Sequence, residues 1–174
     1  MSESEFELTK LDENRLRSAI EELLSRYCRV VDCKDYDKLS DVFATDVKIS
    51  VVIQNLEFHG VEPFKVFLNK TKPFSEDRMH SVSNLSMRVS ATQVRAFSYW
   101  KSTMTFKNVP IEEAGFYEMT CDASIRPLKF GSFTIFHKYR VTSNVKSWKE
   151  VGFPGTQPMT SEDKDIFQRL KDWF

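Results

Sequence analysis

Two segments decide how this chain is read: Tyr27-Cys-Arg-Val-Val-Asp32-Cys-Lys-Asp35-Tyr36-Asp37, and, further on, His80-Ser-Val-Ser-Asn84. Upstream of Asp32 the apolar residues Leu16, Ile20, Leu23, Leu24, Tyr27, Val30 and Val31 recur at intervals of three and four. That spacing predicts a helix over Leu11–Val31 with one buried face. The aspartates interrupt it, and Leu39, Val42 and Phe43 suggest a second short helix ending near Ala44. Asp46–Ile53 is rich in β-branched residues, and Gln54-Asn55 can turn the chain into a short strand through Phe58. Gly60–Asn69 reads as a third helix, with Pro63 in its first turn.

From His80 the pattern changes to strand. His80–Val89, Gln93–Lys107, Gly115–Arg126, Phe130–Thr142 and Ser147–Phe153 are expected as strands, broken most clearly at Asn108-Val-Pro110 and Arg126-Pro127. Helices first and long strands after make an α+β fold, a curved antiparallel or mixed sheet wrapped on three N-terminal helices. Pro154-Gly-Thr-Gln-Pro158 reads as a linker. Ser161 can cap a last helix within residues 160–174 that carries Ile166, Phe167, Leu170, Trp173 and Phe174 on one side, as a lid or an oligomer contact. One domain over 1–174 is expected, with residues 1–10 a flexible tail.

The composition narrows the function. Lys plus Arg and Asp plus Glu both number 25, so nothing draws the chain to nucleic acid or to an anionic membrane. Three cysteines without a CxxC pair argue against disulfides and zinc and favour a reducing, cytoplasmic setting. The first ten residues lack the apolar run of a secretory signal, and no segment approaches the ~20 apolar residues of a membrane span. There is no Gly-rich phosphate loop, HExxH or GxSxG, and the three histidines are scattered over different elements. No metal and no cofactor is expected.

An aspartate and a histidine can still perform acid–base chemistry alone if they converge on a pocket. Periodicity leaves that open. Asp32 lies on the helix flank of Arg29, Ser25 and Glu21, as a solvated aspartate would. His80 shares a strand face with Val82, Asn84, Ser86 and Arg88, which is either solvent-exposed or the wet wall of a cavity. Asn84 either orients a carbonyl or satisfies backbone at a bulge. Tyr27 reads first as core, as does His137 on a face with Phe133, Ile135 and Tyr139. Ser98, Trp100 and Met104 share one strand face and Tyr99 takes the other, and either set can line a cavity. His59 reads as structural, and Asp77-Arg78 as a loop ion pair.

The chain resembles the cone-shaped NTF2-like superfamily in its SnoaL-like and scytalone-dehydratase-like branch. The residues that carry the likeness are Tyr27-x4-Asp32-x2-Asp35-Tyr36-Asp37-x-Leu39, Val42-Phe43-Ala44-x-Asp46, Gly60 before the third helix, His80-x3-Asn84, and Trp148 with Val151-Gly152. The resemblance covers roughly Leu16 to Phe153. It implies that Asp32 and His80 form a catalytic dyad, the aspartate holding the histidine that acts as acid and base. It also implies that Val31 replaces a pocket tyrosine, that Met104 replaces a second histidine, and that Phe133 and Ile135 stand where a serine and an asparagine line the pocket. A more apolar or larger substrate than scytalone follows.

The expected activity is that of a cofactor-independent dehydratase or isomerase acting on a polyketide-derived or other polycyclic ketone. Asn84 with Tyr27 or Tyr99 would stabilise the enolate, and Met104, Phe133, Ile135 and His137 would line the substrate. Two other readings stand beside it: a cyclase or rearrangement catalyst that works mainly through a shaped apolar pocket, and a non-catalytic binding module. Such folds pair through the open sheet face, so a homodimer or homotrimer is expected.

Overall fold

The apolar stripe of the first segment becomes helix α1, Lys10–Asp32, with Ile20, Leu24, Tyr27, Val30 and Val31 all buried. A computed structural model of the protein describes residues 10–124 and 127–142. The helix stops in a defined way. Lys34 takes a left-handed φ of 56°. The amide of Asp35 then donates to the Val30 carbonyl at 3.0 Å, and that of Lys34 to the Val31 carbonyl at 3.2 Å. This is the Schellman closure, which satisfies the last carbonyls and turns the chain sharply after Asp32.

The expected second helix is instead a 3-10 turn, Tyr36–Asp41, and Phe43 already opens strand β1, Phe43–Val51. Tertiary packing overrides the helical spacing here. The Phe43 ring sits 5.4 Å from that of Phe133 and 5.8 Å from that of Tyr27, and the residue pairs with Phe130. Asp35 and Asp37 serve this turn: Asp35 binds Lys38 at 2.6 Å, and Asp37 binds Lys65 at 2.6 Å. Lys65 belongs to helix α2, Val61–Thr71, which follows the short strand β2, Leu56–His59.

Four long strands complete the sheet: β3, Ser75–Val89; β4, Gln93–Phe106; β5, Val109–Asp122; and β6, Phe130–Thr142. The order is β2-β1-β6-β5-β4-β3. Among the described residues only the β1–β6 pair is parallel. The fold is α+β with a curved, unclosed sheet. The break expected at Asn108-Val-Pro110 is tighter than that. Lys107 and Asn108, at φ 49° and 64°, make a two-residue hairpin turn, and Val109 and Pro110 are already in β5. The expected last strand and the helix within 160–174, with its lid role, lie outside the described residues.

One face of the sheet carries Ala96, Trp100, Tyr117, Met119, Phe130 and Phe133 against α1. The other carries Phe97, Tyr99, Phe116 and Phe136. Two bulges in β3 decide which side chains reach the inner face. Asp77 and Asn84 adopt φ of 49° and 55°, within register shifts between Glu76 and Met79 and between Ser83 and Ser86. Each bulge inserts one residue, so the alternation changes phase. Ser75 and Arg78, three apart, both reach the Met104 sulfur. Val82 and Leu85, also three apart, both pack on the core.

Candidate active site

Asp32 is the last residue of α1, where a carboxylate opposes the helix dipole at a cost of about 0.3–1 kcal/mol. Its geometry offsets this. Oδ2 accepts the backbone N–H of His80 at 2.9 Å, and Oδ1 meets the imidazole Nδ1 at 2.5 Å. One carboxylate therefore fixes both the main chain and the ring of His80. A carboxylate can only accept, so Nδ1 carries the proton and Nε2 keeps the lone pair. The two side chains are 8% and 19% exposed, His80 the lower. His80 lines a cavity of about 90 Å³.

The sheet register builds the rest of the cavity wall. His80 pairs with Ser102, Ser102 with Glu113, and Glu113 with Arg140, a polar rung across four strands. Glu113 receives Arg140 Nε at 2.6 Å and the second guanidinium nitrogen at 2.5 Å, and accepts the Ser102 hydroxyl at 3.2 Å. The next rung runs Val82, Trp100, Gly115, His137. A Cβ on Gly115 would lie 1.7 Å from the Phe136 carbonyl oxygen. With no side chain there, the Trp100 and His137 rings meet edge to face at 4.9 Å. Beyond the bulge at Asp77, Arg78 touches the Met104 sulfur at 3.0 Å.

Electrostatics separates these groups. Burial opposes charge on Glu113, but His137, Arg140 and Arg78 outweigh it and hold the carboxyl low, at about 2. Burial is also the main force on His137, against the pull of Glu113. It lowers the imidazole to about 4, and Arg140 adds to the depression. Arg140 is the charge partner of Glu113, and His137, with Nε2 at 3.6 Å from that carboxylate, stays neutral at pH 7. Burial pushes the Tyr27 hydroxyl up, so it remains a donor. Among the described residues, the buried nitrogens without a hydrogen-bond partner include Arg78 Nε, Trp100 Nε1 and His137 Nδ1.

The structure sorts the residues expected from sequence. Asp32 and His80 are in contact, and Tyr27, Met104, Ile135 and His137 line the same cavity. Phe133 is fully buried behind it, its ring tilted against that of Tyr27 with centroids 4.7 Å apart. Two placements are corrected. Asn84 is exposed in the second β3 bulge, where its left-handed φ serves the backbone turn. Tyr99 packs on Phe97 at 5.0 Å, on the opposite sheet face. The apolar character inferred for the pocket accessories is also incomplete, because Arg78, Glu113 and Arg140 line the cavity too. Arg78 was masked by starting β3 at His80 and reading Asp77-Arg78 as a loop. Glu113 was masked by starting β5 at Gly115, although Ile111, Glu113, Gly115 and Tyr117 alternate strictly. Among the described residues no cluster of three His, Cys, Asp or Glu suits a metal ion, and no helix is long and apolar enough to cross a membrane.

The fold recurs in solved structures. A type 3 hexachlorocyclohexane dehydrochlorinase (LinA) from Novosphingobium barchaimii is 22% identical at a TM-score of 0.70, covering 79% of this chain and 97% of its own. A type 2 LinA is 21% identical at 0.70, covering 77% and 93%. A scytalone dehydratase-like protein of Novosphingobium aromaticivorans is 20% identical at 0.68, covering 79% and 94%. At these identities the likeness is one of fold. No curated protein matches the chain in sequence. The SnoaL-like domain family matches residues 12–123, a span that holds α1, the β3 bulges, His80 and Glu113, and the chain belongs to that family of NTF2-like proteins.

Proposed function

We propose that the protein is a cofactor-independent lyase or isomerase in which His80 moves a proton at a carbon next to an electron-withdrawing group. The observation that carries this reading is the double clamp of Asp32 on His80, which fixes the ring beside a cavity so that, in the neutral imidazole, the lone pair is on Nε2. Nε2 takes the proton. The imidazolium so formed is stabilised by the Asp32 carboxylate, and it returns the proton to a leaving group in an elimination or to another carbon in an isomerisation. With Asn84 and Tyr99 elsewhere, the Trp100 indole N–H and the Tyr27 hydroxyl are the neutral donors suited to the developing oxyanion. Dehydrochlorinases and a dehydratase-like protein among the structural neighbours fit elimination chemistry. A cavity of about 90 Å³ has room for about three waters at ~30 Å³ each, a tight fit even for one small ring. That favours a monocyclic substrate over the polycyclic, polyketide-type ketone implied by the resemblance.

The test uses 3-hydroxycyclohexanone in D2O, followed by NMR for deuterium next to the carbonyl and for loss of water. The wild type should exceed buffer by about 10²-fold or more, and His80→Gln should fall back to the buffer rate. A His80→Gln variant that works at the wild-type rate refutes the assignment.

A further inference from the structure

Arg78 has no place in the proton-transfer scheme, yet it sits in the cavity wall. The bulge at Asp77 puts it there, two positions before His80 on the same face of β3. Its environment is poor for a cation. One guanidinium nitrogen meets the Met104 thioether at 3.0 Å, a weak acceptor. Nε is buried with no hydrogen-bond partner. Among the described residues no carboxylate comes within ion-pair distance of it: Glu113 is taken by Arg140 and Ser102, and Asp32 by His80. Asp77, its expected partner, is exposed. A guanidinium fork held this way lacks the planar anion that such forks bind bidentately.

We propose that the substrate is a small organic acid whose carboxylate docks on Arg78. Residues two apart on a strand are about 6–7 Å apart. The acid group therefore lies a few bonds from the carbon that faces His80 Nε2, with its ring against Trp100 and Met104. Glu113 does not repel it decisively, because Arg140 matches that charge on the neighbouring rung. The inference rests on the proposed reaction only for where the acidic carbon lies; carboxylate binding itself needs no turnover.

The experiment is therefore a binding one, calorimetric or NMR titration with sodium benzoate and with benzamide, its neutral counterpart of the same shape. Wild type should bind benzoate at least about tenfold more tightly than benzamide. Arg78→Met, which keeps the apolar stem, should remove that preference and leave benzamide binding unchanged. Arg78→Lys should keep part of it, which separates lost charge from a damaged fold. His80→Gln should retain benzoate binding even though it abolishes proton transfer, so failure of the chemistry and failure of the acid site are read separately. Equal affinity for the two probes, no benzoate binding at millimolar concentration, or an unchanged preference in Arg78→Met overturns the proposal.

Discussion

Replacing Asp32 with asparagine changes no more than one oxygen into an NH2, and the geometry around it fixes the consequence. In the wild type both oxygens accept: Oδ2 from the His80 main-chain N–H at 2.9 Å and Oδ1 from Nδ1 at 2.5 Å. An amide has one acceptor and one donor end. The main-chain N–H cannot reverse, so the amide oxygen must face it and the NH2 must face Nδ1. Nδ1 then becomes an acceptor, and the ring proton moves to Nε2, the atom that should be taking a proton from substrate. In energy, two charge-assisted bonds worth about 1.5–3 kcal/mol each become neutral ones worth about 0.5–1.5 kcal/mol each. Removing a negative charge from the C-terminus of α1 returns about 0.3–1 kcal/mol. The net loss of stability is thus about 2 kcal/mol, a fall in melting temperature of roughly 4–8 °C for a chain of this size. Proton-transfer turnover should drop about 10² to 10⁴-fold in a protein that remains folded. Imidazole 15N NMR should show the proton on Nδ1 in the wild type and on Nε2 in Asp32→Asn. Turnover within tenfold of wild type in a variant shown to carry Nε2–H would refute the reasoning.

Three further outcomes follow from other contacts. Gly115→Ala drives a methyl to 1.7 Å from the Phe136 carbonyl oxygen; it should cost about 3 kcal/mol or more by urea unfolding, and a loss under about 1 kcal/mol would show that the β5–β6 pair yields. Lys34→Gly relieves a left-handed φ of 56° worth about 1–2 kcal/mol, against about 0.5–1 kcal/mol of added chain entropy, so a small rise in melting temperature is expected and a fall would exclude strain at that cap. His137 is lowered by burial from 6.5 to about 4, so between those pH values the unfolded chain binds the proton that the folded one refuses. Its contribution is complete above pH 6.5 and is lost as pH falls toward 4, on the order of 2–3 kcal/mol. His137→Gln should flatten that part of the stability–pH curve, and an unchanged slope would mean that another group carries it.

The parts of the fold that were legible in the sequence are those where one element's pattern is self-contained. The α1 stripe and the alternation of β4 survive because their buried faces follow a single period. The residues that went unread depend on phase changes between elements. Nothing in Ser75–His80 announces a strand, because Asp77 takes a left-handed conformation that pattern reading assigns to a loop. Arg78 was therefore paired on paper with the neighbour that faces away from it. Asn84 carried the same ambiguity, and its bulge turns the face containing Val82 into the one containing Leu85. His137 was read as core on an apolar face; it is indeed buried, but against a cavity, a distinction that burial alone does not make.

The same bulges explain how chemistry and recognition can change separately on this scaffold. Asp32 reaches His80 from another element, through the end of α1, and its clamp on the main-chain N–H requires only that His80 keep its rung. Arg78 lies within the irregular stretch between the paired Glu76 and Met79, whereas His80 keeps its register with Ser102. The proton-transfer pair is thus tied to the helix closure, while the charged group beside it is tied to a local strand irregularity. Under the proposed function, a chain that kept the first and varied the second would retain the step at carbon and change which molecule is presented to it.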